Sequence, residues 1–394
     1  MNGDGQRRIR ILCAIGTMDG GGAERQMVEL LRHLDRSRFS PWLYLVRKTG
    51  PLLSEVPEDV PVTAFLDRFD GRWRFLPGRF RRALVRDLAA LIHSERIDVL
   101  YDRTYLMTLL AAAAARRRPV PRISVAVADP EPELRMHARC CTGWNWRHAR
   151  RAYREAGVVV ANSNGLRRRL IEYFQLDDHQ VRTIHNMLDL EQLDRRAEEP
   201  APAWDRDLFH IVSAGRLDER KGYEYLLEAI DRLVHGRGLT RIQLHVFGEG
   251  PSKSQLEQFI HSRRLERHVT LEGFRANPLP CFRHAGLFCL PSLNEGLPNA
   301  LIEAVACGVP VLATDCPSGP AEILDGGRHG ALVPPADAEA LAAAIADAAA
   351  NPERWRARTE AARRHVEALC SVRANMPRWE DLFEQAATGA PLTV

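Results

Sequence analysis

Short, continuously apolar segments alternate with amphipathic segments along the whole chain, and this alternation restricts the possible folds more than any other feature. The run Ile9–Ile15 is typical of a strand that is buried on both faces. The segment Glu24–Leu34 then carries its apolar residues at helical spacing. A strand followed by a helix and another strand is the repeating unit of a parallel sheet. The sequence therefore predicts an α/β fold of doubly wound parallel sheets.

The same alternation assigns the remaining elements. In the first half, strands are predicted at Trp42–Val46, Val62–Phe65, Val99–Tyr101, Ile123–Val127 and Val158–Ala161, with helices at 80–95, 104–117, 144–155 and 164–174. In the second half, strands are predicted at Phe209–Ala214, Ile242–Phe247, Val269–Leu271, Gly286–Leu290 and Val309–Ala313, with helices at 222–236, 251–263, 298–307, 336–349 and 352–369.

One charged, proline-bearing segment without periodicity, residues 195–208, separates the two series and predicts a linker. We therefore expect a first domain over residues 1–200 and a second over 201–370. The final segment, 371–394, contains a predicted helix that packs back on the first domain. Two such domains would face a central cleft lined by the carboxyl ends of their strands, where α/β sheets bind ligands.

Composition excludes several classes of protein. The chain has 394 residues, 45% of them hydrophobic and 27% charged, as in ordinary globular proteins. Its densest apolar stretch, Leu106–Ala115, is too short to span a membrane, and the N-terminus lacks the pattern of a signal peptide. The 8 cysteines form no C-x-x-C pair. These features predict a cytoplasmic protein with reduced thiols.

The first predicted strand-to-helix junction is rich in glycine. Gly20, Gly21 and Gly22 allow close approach of a ligand to the backbone, and the following helix start offers amide groups to an anion. Arg25 stands where a dinucleotide fingerprint needs its third glycine, and the loop is not a Walker A motif. A plain flexible turn is the alternative to a ligand site here.

Two cations occupy the corresponding junction of the second half. Arg216 follows a predicted buried strand, and Lys221 precedes a helix. Cations five residues apart on such a loop can converge on a diphosphate. The alternative is a solvated run of charges, which Gly215 and Gly222 argue against because they are typical of a loop with a required shape.

A third junction carries two carboxylates. Glu295 lies in the loop, Pro298 is suited to the first turn of a helix, and Glu303 lies about one and a half turns into it. The helix start would bind an anion, and carboxylates suit the hydroxyl groups of sugars and ribose.

Glu295 and Glu303 with Gly-Leu-Pro-Asn-Ala-Leu-Ile between them resemble the E-x7-E motif of the retaining glycosyltransferases of family 4. Gly248–Pro251, Gly273–Pro278 and the segment 306–324 resemble further motifs of that family, so the resemblance covers most of 209–335. In the first half it rests on Gly20–Glu24 and Asn162–Gly165.

The resemblance implies the GT-B fold of two Rossmann-like domains, and it implies site residues. Arg216 and Lys221 would neutralise the diphosphate, Glu295 would contact the donor sugar, and Glu303 would bind the ribose hydroxyls. Further contacts are expected as follows: phosphate at the amides of Asn299, Ala300 and Leu301, and the base near Phe247, Gly248 and Phe274. Transfer with retention by a front-face route would need no protein nucleophile. No cofactor is predicted, and the one D-x-D sequence, Asp205–Asp207, falls in the linker, so no metal is predicted either.

The sequence departs from the family in one place. Many members have a histidine soon after the fifth strand of the first domain, but here the first histidine after that strand is His137. Either Asp129 or Glu131 takes that place, or His137 reaches the donor sugar from a loop; a surface role for His137 is the alternative. The identity of the sugar is therefore left open.

The acceptor is expected on the first half, which is basic while the second half is acidic. Residues 72–86 interleave arginine with Trp73, Phe75 and Phe80, and this stretch, with Cys141–Arg151, suggests peripheral contact with an anionic membrane at its inner face. A core-facing helix with a charged outer face is the alternative, and no nucleic-acid-binding module accompanies the arginines.

The resulting hypothesis is transfer of a hexose or N-acetylhexosamine from a nucleotide sugar, UDP-linked in preference to GDP-linked, to a polysaccharide or lipid-linked glycan. A sugar-nucleotide epimerase and a non-catalytic binding protein are the alternatives.

Overall fold

The computed structural model describes residues 7–69, 78–137, 142–200 and 203–390. The chain forms two compact units, one built from residues 1–187 and 372–394 and the other from residues 188–371. The domain boundaries predicted at residues 200 and 370 stay predictions.

The first unit is built on a seven-stranded sheet in which every neighbouring pair is parallel. The strand order is β3-β2-β1-β4-β5-β6-β7. The central strands are apolar and buried on both faces, as expected when helices cover a parallel sheet. The strands are β1 (Ile9–Ile15), β2 (Phe39–Leu45), β3 (Val62–Ala64), β4 (Val99–Arg103), β5 (Arg122–Ala126), β6 (Val158–Ala161) and β7 (Val181–Thr183).

Helices connect these strands in the described part of the chain. They are α1 (Gly22–His33), α2 (Phe65–Arg68), α3 (Arg79–Ser94), α4 (Tyr105–Ala115), α5 (Pro130–His137), α6 (Thr142–Arg154) and α7 (Asn164–Phe174). Helix α1 shows how they pack: Met27, Leu30 and Leu31 recur at helical spacing and are buried against the sheet.

The second unit repeats this architecture with a six-stranded parallel sheet of order β10-β9-β8-β11-β12-β13. Its strands are β8 (Phe209–Ala214), β9 (Ile242–Phe247), β10 (Val269–Gly273), β11 (Leu287–Leu290), β12 (Val311–Thr314) and β13 (Ala331–Val333). Its helices are α8 (Leu190–Ala197), α9 (Tyr223–Asp231), α10 (Lys253–Ser262), α11 (Leu279–His284), α12 (Asn299–Ala306), α13 (Pro320–Ile323), α14 (Ala338–Ala350), α15 (Pro352–Arg356) and α16 (Thr359–Cys370).

The last helix, α17 (Val372–Thr388), belongs to the first unit. Trp379 and Phe383 are buried, and both rings contact Tyr101 of β4, with centroids 5.5 and 5.9 Å away. Arg38 forms ion pairs with Glu380 and Glu384 at the edge of this contact. The helix therefore completes the core on one face of the first sheet.

The expected fold class of two Rossmann-like parallel-sheet units is confirmed, but the prediction of a linker over residues 195–208 is partly wrong. Helix α8 continues to Ala197, because Leu193 and Ala197 bury one face of it. Trp204 is also packed: its ring stacks on His210 and His245, with centroids 4.6 and 4.4 Å apart.

Candidate active site

The loop between β8 and α9 holds the two predicted cations. Asp218 starts a short turn of 3-10 helix, because its Oδ1 accepts a hydrogen bond from the Arg220 amide at 3.1 Å. Gly222 ends the turn with φ of +61°, and a Cβ atom there would lie 2.3 Å from the Pro291 carbonyl oxygen. Only glycine permits both this conformation and this close approach to the neighbouring loop.

That neighbouring loop follows β11, the strand beside β8. The Leu293 amide donates to the Arg220 carbonyl at 2.8 Å, so backbone contacts fix the two loops to each other. Both loops leave the carboxyl ends of adjacent parallel strands, which is where open α/β sheets bind ligands. The described geometry thus brings Lys221 and Glu295 together from positions 74 residues apart.

Lys221 and Glu295 form an ion pair with 2.5 Å between Nζ and Oε1. Ser292 donates its hydroxyl to the same oxygen at 2.6 Å. Glu295 is only 8% exposed, whereas 22% of the Lys221 side chain is exposed. A carboxylate this buried needs partners for its charge, and the lysine and the serine supply them.

Arg216 projects differently from Lys221. Its side chain is 71% exposed, and its nearest described carboxylate is Asp218, 3.8 Å from Nε. Arg216 is therefore placed at the carboxyl end of β8 with its guanidinium in solvent.

Helix α12 begins at Asn299, four residues after Glu295. Asn299 and Ala300 are partly exposed, whereas Leu301 is buried and its amide bonds to the Pro298 carbonyl at 3.1 Å. The Leu301 amide is thus already engaged within the helix, and the expected phosphate contact stays a prediction for the residues before it. Glu303 is partly exposed and lies four residues after Asn299, on the same side of the helix.

The loops after β9 and β10 hold the residues expected near the base. Gly248 has φ of +143°, and a Cβ atom there would lie 1.9 Å from the Gly215 carbonyl oxygen. Phe274 is 49% exposed, but Phe247 is 3% exposed and its ring packs on Phe282. The side chain of Phe247 is therefore part of the core, and only the exposed Phe274 offers a ring to a ligand.

In the first unit, the structure places the glycines where they were expected. Gly20 has φ of +96°, and Gly21, at the N-cap of α1, and Gly22 are exposed. This helix start projects from the carboxyl end of β1.

Asp129 follows β5 but is 2% exposed and is bound to Arg169, with 2.8 Å between Oδ2 and Nε. Its Oδ1 also accepts from the Glu131 amide at 3.0 Å, which starts α5. Glu131 pairs with Arg135 and Arg169. The side chain of His137 lies outside the described part of the chain. Which of these residues replaces the usual histidine stays a prediction.

Sequence reasoning did not single out Ser292, Thr314 and Ser318. The Ser292 carbonyl accepts from the Thr314 hydroxyl, and the Ser318 hydroxyl donates to the Glu295 carbonyl at 2.7 Å. A serine three residues before a glutamate, as in Ser292 and Glu295, was the available signal, since this spacing lets the two groups meet in a turn.

The nearby thiol is not set up as a nucleophile. Burial, with a further contribution from the charge of Glu295, raises the pKa of Cys316 to about 12. A thiol with such a pKa stays protonated at neutral pH and is a poor nucleophile.

Two Rossmann-like parallel-sheet units, the second with a cation and carboxylate cluster at the carboxyl ends of its strands, define a protein of the GT-B fold. Residues 20–192 match the family described as Glycosyltransferase Family 4, and residues 209–351 match the one described as Glycosyl transferases group 1. Together these matches span most of both units, and the chain is a glycosyltransferase of the GT-B, family 4 and group 1 type.

Relatives and solved structures with similar sequences or folds carry related names. The chain is 33% identical to the N-acetylgalactosamine-N,N'-diacetylbacillosaminyl-diphospho-undecaprenol 4-alpha-N-acetylgalactosaminyltransferase of Campylobacter jejuni, over 46% of this chain and 47% of that protein. It is 25% identical to the lipopolysaccharide core biosynthesis glycosyltransferase LpsE of Rhizobium meliloti, over 68% of this chain and 77% of that protein. The chain spans less than half the length of the first curated relatives that it matches.

Among solved structures, Anabaena Alr3699/HepE in complex with UDP and glucose is similar with a TM-score of 0.78 and 20% identity, over 95% of this chain and 99% of that one. At this identity the likeness establishes the fold. Across the part of the chain that the structure describes, no helix is both long and apolar enough to cross a bilayer.

Proposed function

We propose that this protein transfers a hexose or N-acetylhexosamine from a nucleotide sugar to a polysaccharide or lipid-linked glycan, with retention and without a metal ion. The observation that carries the proposal is the Lys221–Glu295 ion pair at the carboxyl edge of the second sheet. The loop of Lys221 also carries the exposed Arg216, and the loop of Glu295 leads into α12. A sugar diphosphate would use the cations and helix amides for its phosphate groups and the carboxylate for its sugar hydroxyls.

Each group has a proposed role. Arg216 and Lys221 stabilise the charge that develops on the leaving diphosphate, which is the largest electrostatic demand of this reaction. Glu295 binds the donor sugar, and Glu303 accepts hydrogen bonds from the ribose. The raised pKa of the Cys316 thiol is in keeping with a front-face route, in which no protein nucleophile is used.

The donor and the acceptor class follow from similar proteins. Alr3699/HepE has been solved with UDP and with UDP-glucose, which supports a UDP-linked donor, with GDP as the second choice. The names of the Campylobacter and Rhizobium relatives refer to a lipid-linked diphosphate and to a lipopolysaccharide core, which supports a cell-envelope glycan as acceptor.

A thermal-shift screen with UDP, GDP and ADP tests the nucleotide. A ligand at 100 times its dissociation constant stabilises the folded protein by about 2.7 kcal/mol, which is readily measured. Turnover of UDP-glucose, UDP-N-acetylglucosamine, UDP-N-acetylgalactosamine and GDP-mannose with a membrane-lipid extract then tests the activity. Appearance of an epimer would favour the epimerase alternative, and binding without turnover would favour a non-catalytic protein.

A matched pair of arginines tests the leaving-group role. Arg216 at the carboxyl end of β8 and Arg241 at the amino end of β9 are similarly exposed, at 71% and 69% of their side chains. Arg216→Ala should greatly reduce turnover and Arg216→Lys should restore it only in part, because an ammonium cannot grip phosphate in two places. Arg241→Ala should leave turnover unchanged. Equal effects of the two alanine variants would refute the role of Arg216.

We also propose peripheral contact of the first unit with anionic lipid. Arg79, Arg81, Arg82 and Arg86 of α3 are all exposed. Phe80 instead packs on Phe65 and Phe69 with ring centroids 5.4 and 5.9 Å away, so it is a core residue. The rest of the arginine and aromatic run, up to Pro77, lies outside the described residues.

Replacing Arg79, Arg81 and Arg82 with Gln should weaken binding to anionic vesicles about 100-fold, since each basic residue near such a surface contributes about 1 kcal/mol. The matched control replaces Arg116, Arg117 and Arg118, which are likewise three exposed arginines of the first unit, and it should leave vesicle binding unchanged. Co-sedimentation should show binding that high salt removes and that neutral vesicles lack. Failure to bind anionic vesicles at low salt would refute the membrane contact.

A further inference from the structure

The hydrogen bonds of the Glu295 carboxylate are strongly asymmetric. Lys221 Nζ and Ser292 Oγ both approach Oε1, at 2.5 and 2.6 Å. Oε2 makes no hydrogen bond to the described residues. It is not fully buried, so water can satisfy it. One oxygen of Glu295 therefore anchors the side chain, and the other is left open to a ligand.

The two anchors differ in how free they are to move. Lys221 sits on a long flexible side chain that is 22% exposed. Ser292 is fully buried and short, and its backbone carbonyl is held by the Thr314 hydroxyl at the end of β12. Ser292 is thus fixed to the sheet, whereas Lys221 can turn toward a new partner.

A bound diphosphate would draw on the same ammonium group. Its phosphate oxygens would compete with Glu295 Oε1 for Lys221, because both are anionic acceptors of charge-assisted hydrogen bonds. When Lys221 turns to phosphate, the Ser292 hydroxyl is the one hydrogen bond to the Glu295 carboxylate that remains among the described residues. Without that hydroxyl, the carboxylate would be free to rotate at the moment when its position matters.

We propose that Ser292 is a positioning residue for the donor sugar. It holds Oε1 of Glu295 so that Oε2 points at a sugar hydroxyl, and it maintains that orientation after Lys221 transfers to the diphosphate. This inference rests on the proposed function and adds to it a ligand-dependent exchange of Lys221 between Glu295 and phosphate.

The role proposed for Ser292 predicts different effects on nucleotide binding and on sugar transfer. Ser292 would touch neither the nucleotide nor the sugar, so Ser292→Ala should leave the affinity for UDP within about twofold of wild type. The kcat/KM for the donor should fall roughly 10- to 100-fold, as expected for the loss of one hydrogen bond to a charged group. Ser292→Cys should behave like the alanine variant, because a thiol fills the space but is a weak donor.

Ser318→Ala is the matched control. Ser318 is also buried and also bonds to Glu295, but to its backbone carbonyl rather than to the carboxylate. Its loss should therefore affect stability more than the donor kcat/KM. A residue that acts through Glu295 should also have no further effect in a Glu295→Ala background, which a double-mutant cycle measures.

The experiment uses the full chain, calorimetry with UDP and GDP, and kcat/KM for whichever of the four nucleotide sugars wild type turns over fastest. A selective loss of kcat/KM in Ser292→Ala and Ser292→Cys, absent from Ser318→Ala and from the Glu295→Ala background, is the expected result. Equal losses in Ser318→Ala, wild-type kcat/KM in Ser292→Cys, or a parallel loss of nucleotide affinity would overturn the role of Ser292. If wild type neither binds a nucleotide nor turns over a sugar, the proposed function itself fails and the inference fails with it.

Discussion

Gly248 offers the sharpest test of how the second unit builds its site. It has φ of +143°, outside the left-handed helical region, and a Cβ atom would lie 1.9 Å from the Gly215 carbonyl oxygen. Gly308, just after α12, also has a positive φ, of +77°, but a Cβ atom there meets nothing within 4 Å. Ala substitutions at both positions meet backbone strain, and only the one at Gly248 adds a steric clash with a neighbouring loop.

The expected costs follow from this geometry. Gly308→Ala should cost about 1–2 kcal/mol, the usual strain of a side chain at positive φ. In Gly248→Ala the new Cβ atom would lie 1.9 Å from the Gly215 carbonyl oxygen. Packed atoms do not approach within about 3 Å, so the loops after β8 and β9 would have to separate by about 1 Å. The hydrogen bonds from the Gly215 amide to Phe247 and from the Gly248 amide to Gly273 would weaken, at about 1 kcal/mol each. We expect about 3–5 kcal/mol in total.

Urea unfolding of both variants measures these costs, and calorimetry with UDP measures the consequence for the site. Because Gly215 begins the loop that carries Arg216 and Lys221, Gly248→Ala should weaken UDP binding at least tenfold, whereas Gly308→Ala should not. If the two variants were equally stable and Gly248→Ala bound UDP like wild type, the close approach of the loops would not be what shapes this site.

Three further predictions concern separate parts of the molecule. Glu303→Ala should weaken nucleotide binding by roughly 1.5–3 kcal/mol in calorimetry while leaving urea unfolding unchanged, and unchanged affinity would exclude the ribose role. Phe383→Ala should destabilise the first unit by about 3–5 kcal/mol in the same unfolding assay, because the ring is fully buried; a loss below about 1 kcal/mol would contradict the packing of α17. The hydrogen bond from the Trp355 indole, and then Arg354, lowers the pKa of Asp347 below its ordinary 3.8, so the stability it contributes is present above that value and lost as the pH falls through the lowered pKa. Asp347→Asn should remove that part of the acid dependence of unfolding, and an unchanged pH profile would show that the contact contributes nothing.

Much of the fold was predictable because the strands of parallel sheets are buried on both faces and have little polar interruption. The bounds predicted for β1, β6, β8 and β9 agree with the structure. The three-residue edge strands β7 and β13 were missed because three residues give little periodic signal. The equally short edge strand β3 was found within the longer predicted strand Val62–Phe65. The pairing partners of β7 and β13, rather than their own residues, define them as strands.

Helix α8 shows a failure of a different kind. The charged residues from Arg195 onward suggested a linker, but Leu193 and Ala197 form a narrow apolar stripe that packs into the core of the second unit. The sequence did hold a signal, because Asp189 is a residue type that favours the start of a helix. In the structure its side chain accepts a hydrogen bond from the Gln192 amide at 2.9 Å. The single helix predicted over 352–369 is similarly divided into α15 and α16.

The positions of Arg216, Lys221 and Glu295 on loops after strands were predictable, but the contact between Lys221 and Glu295 was not. That contact depends on β8 and β11 being neighbours in the sheet, although two other strands lie between them in sequence. Ser292 was missed because its importance lies in the oxygen that it contacts. Contacts of this kind depend on the folding of distant segments together, which local patterns do not encode.

The return of α17 to the first unit affects how the chain is made in the cell. About 185 residues separate Met187 from Val372, so synthesis at 5–20 residues per second takes roughly 10–40 s to cross the second unit. During that interval the strands of the first sheet have left the ribosome, but Trp379 and Phe383 have not yet been made. These two residues cover Tyr101 in the finished protein, so one face of the sheet lacks its cover. The nascent chain therefore exposes an apolar surface suited to chaperones, and a nonsense codon in the second half would leave that surface permanently uncovered.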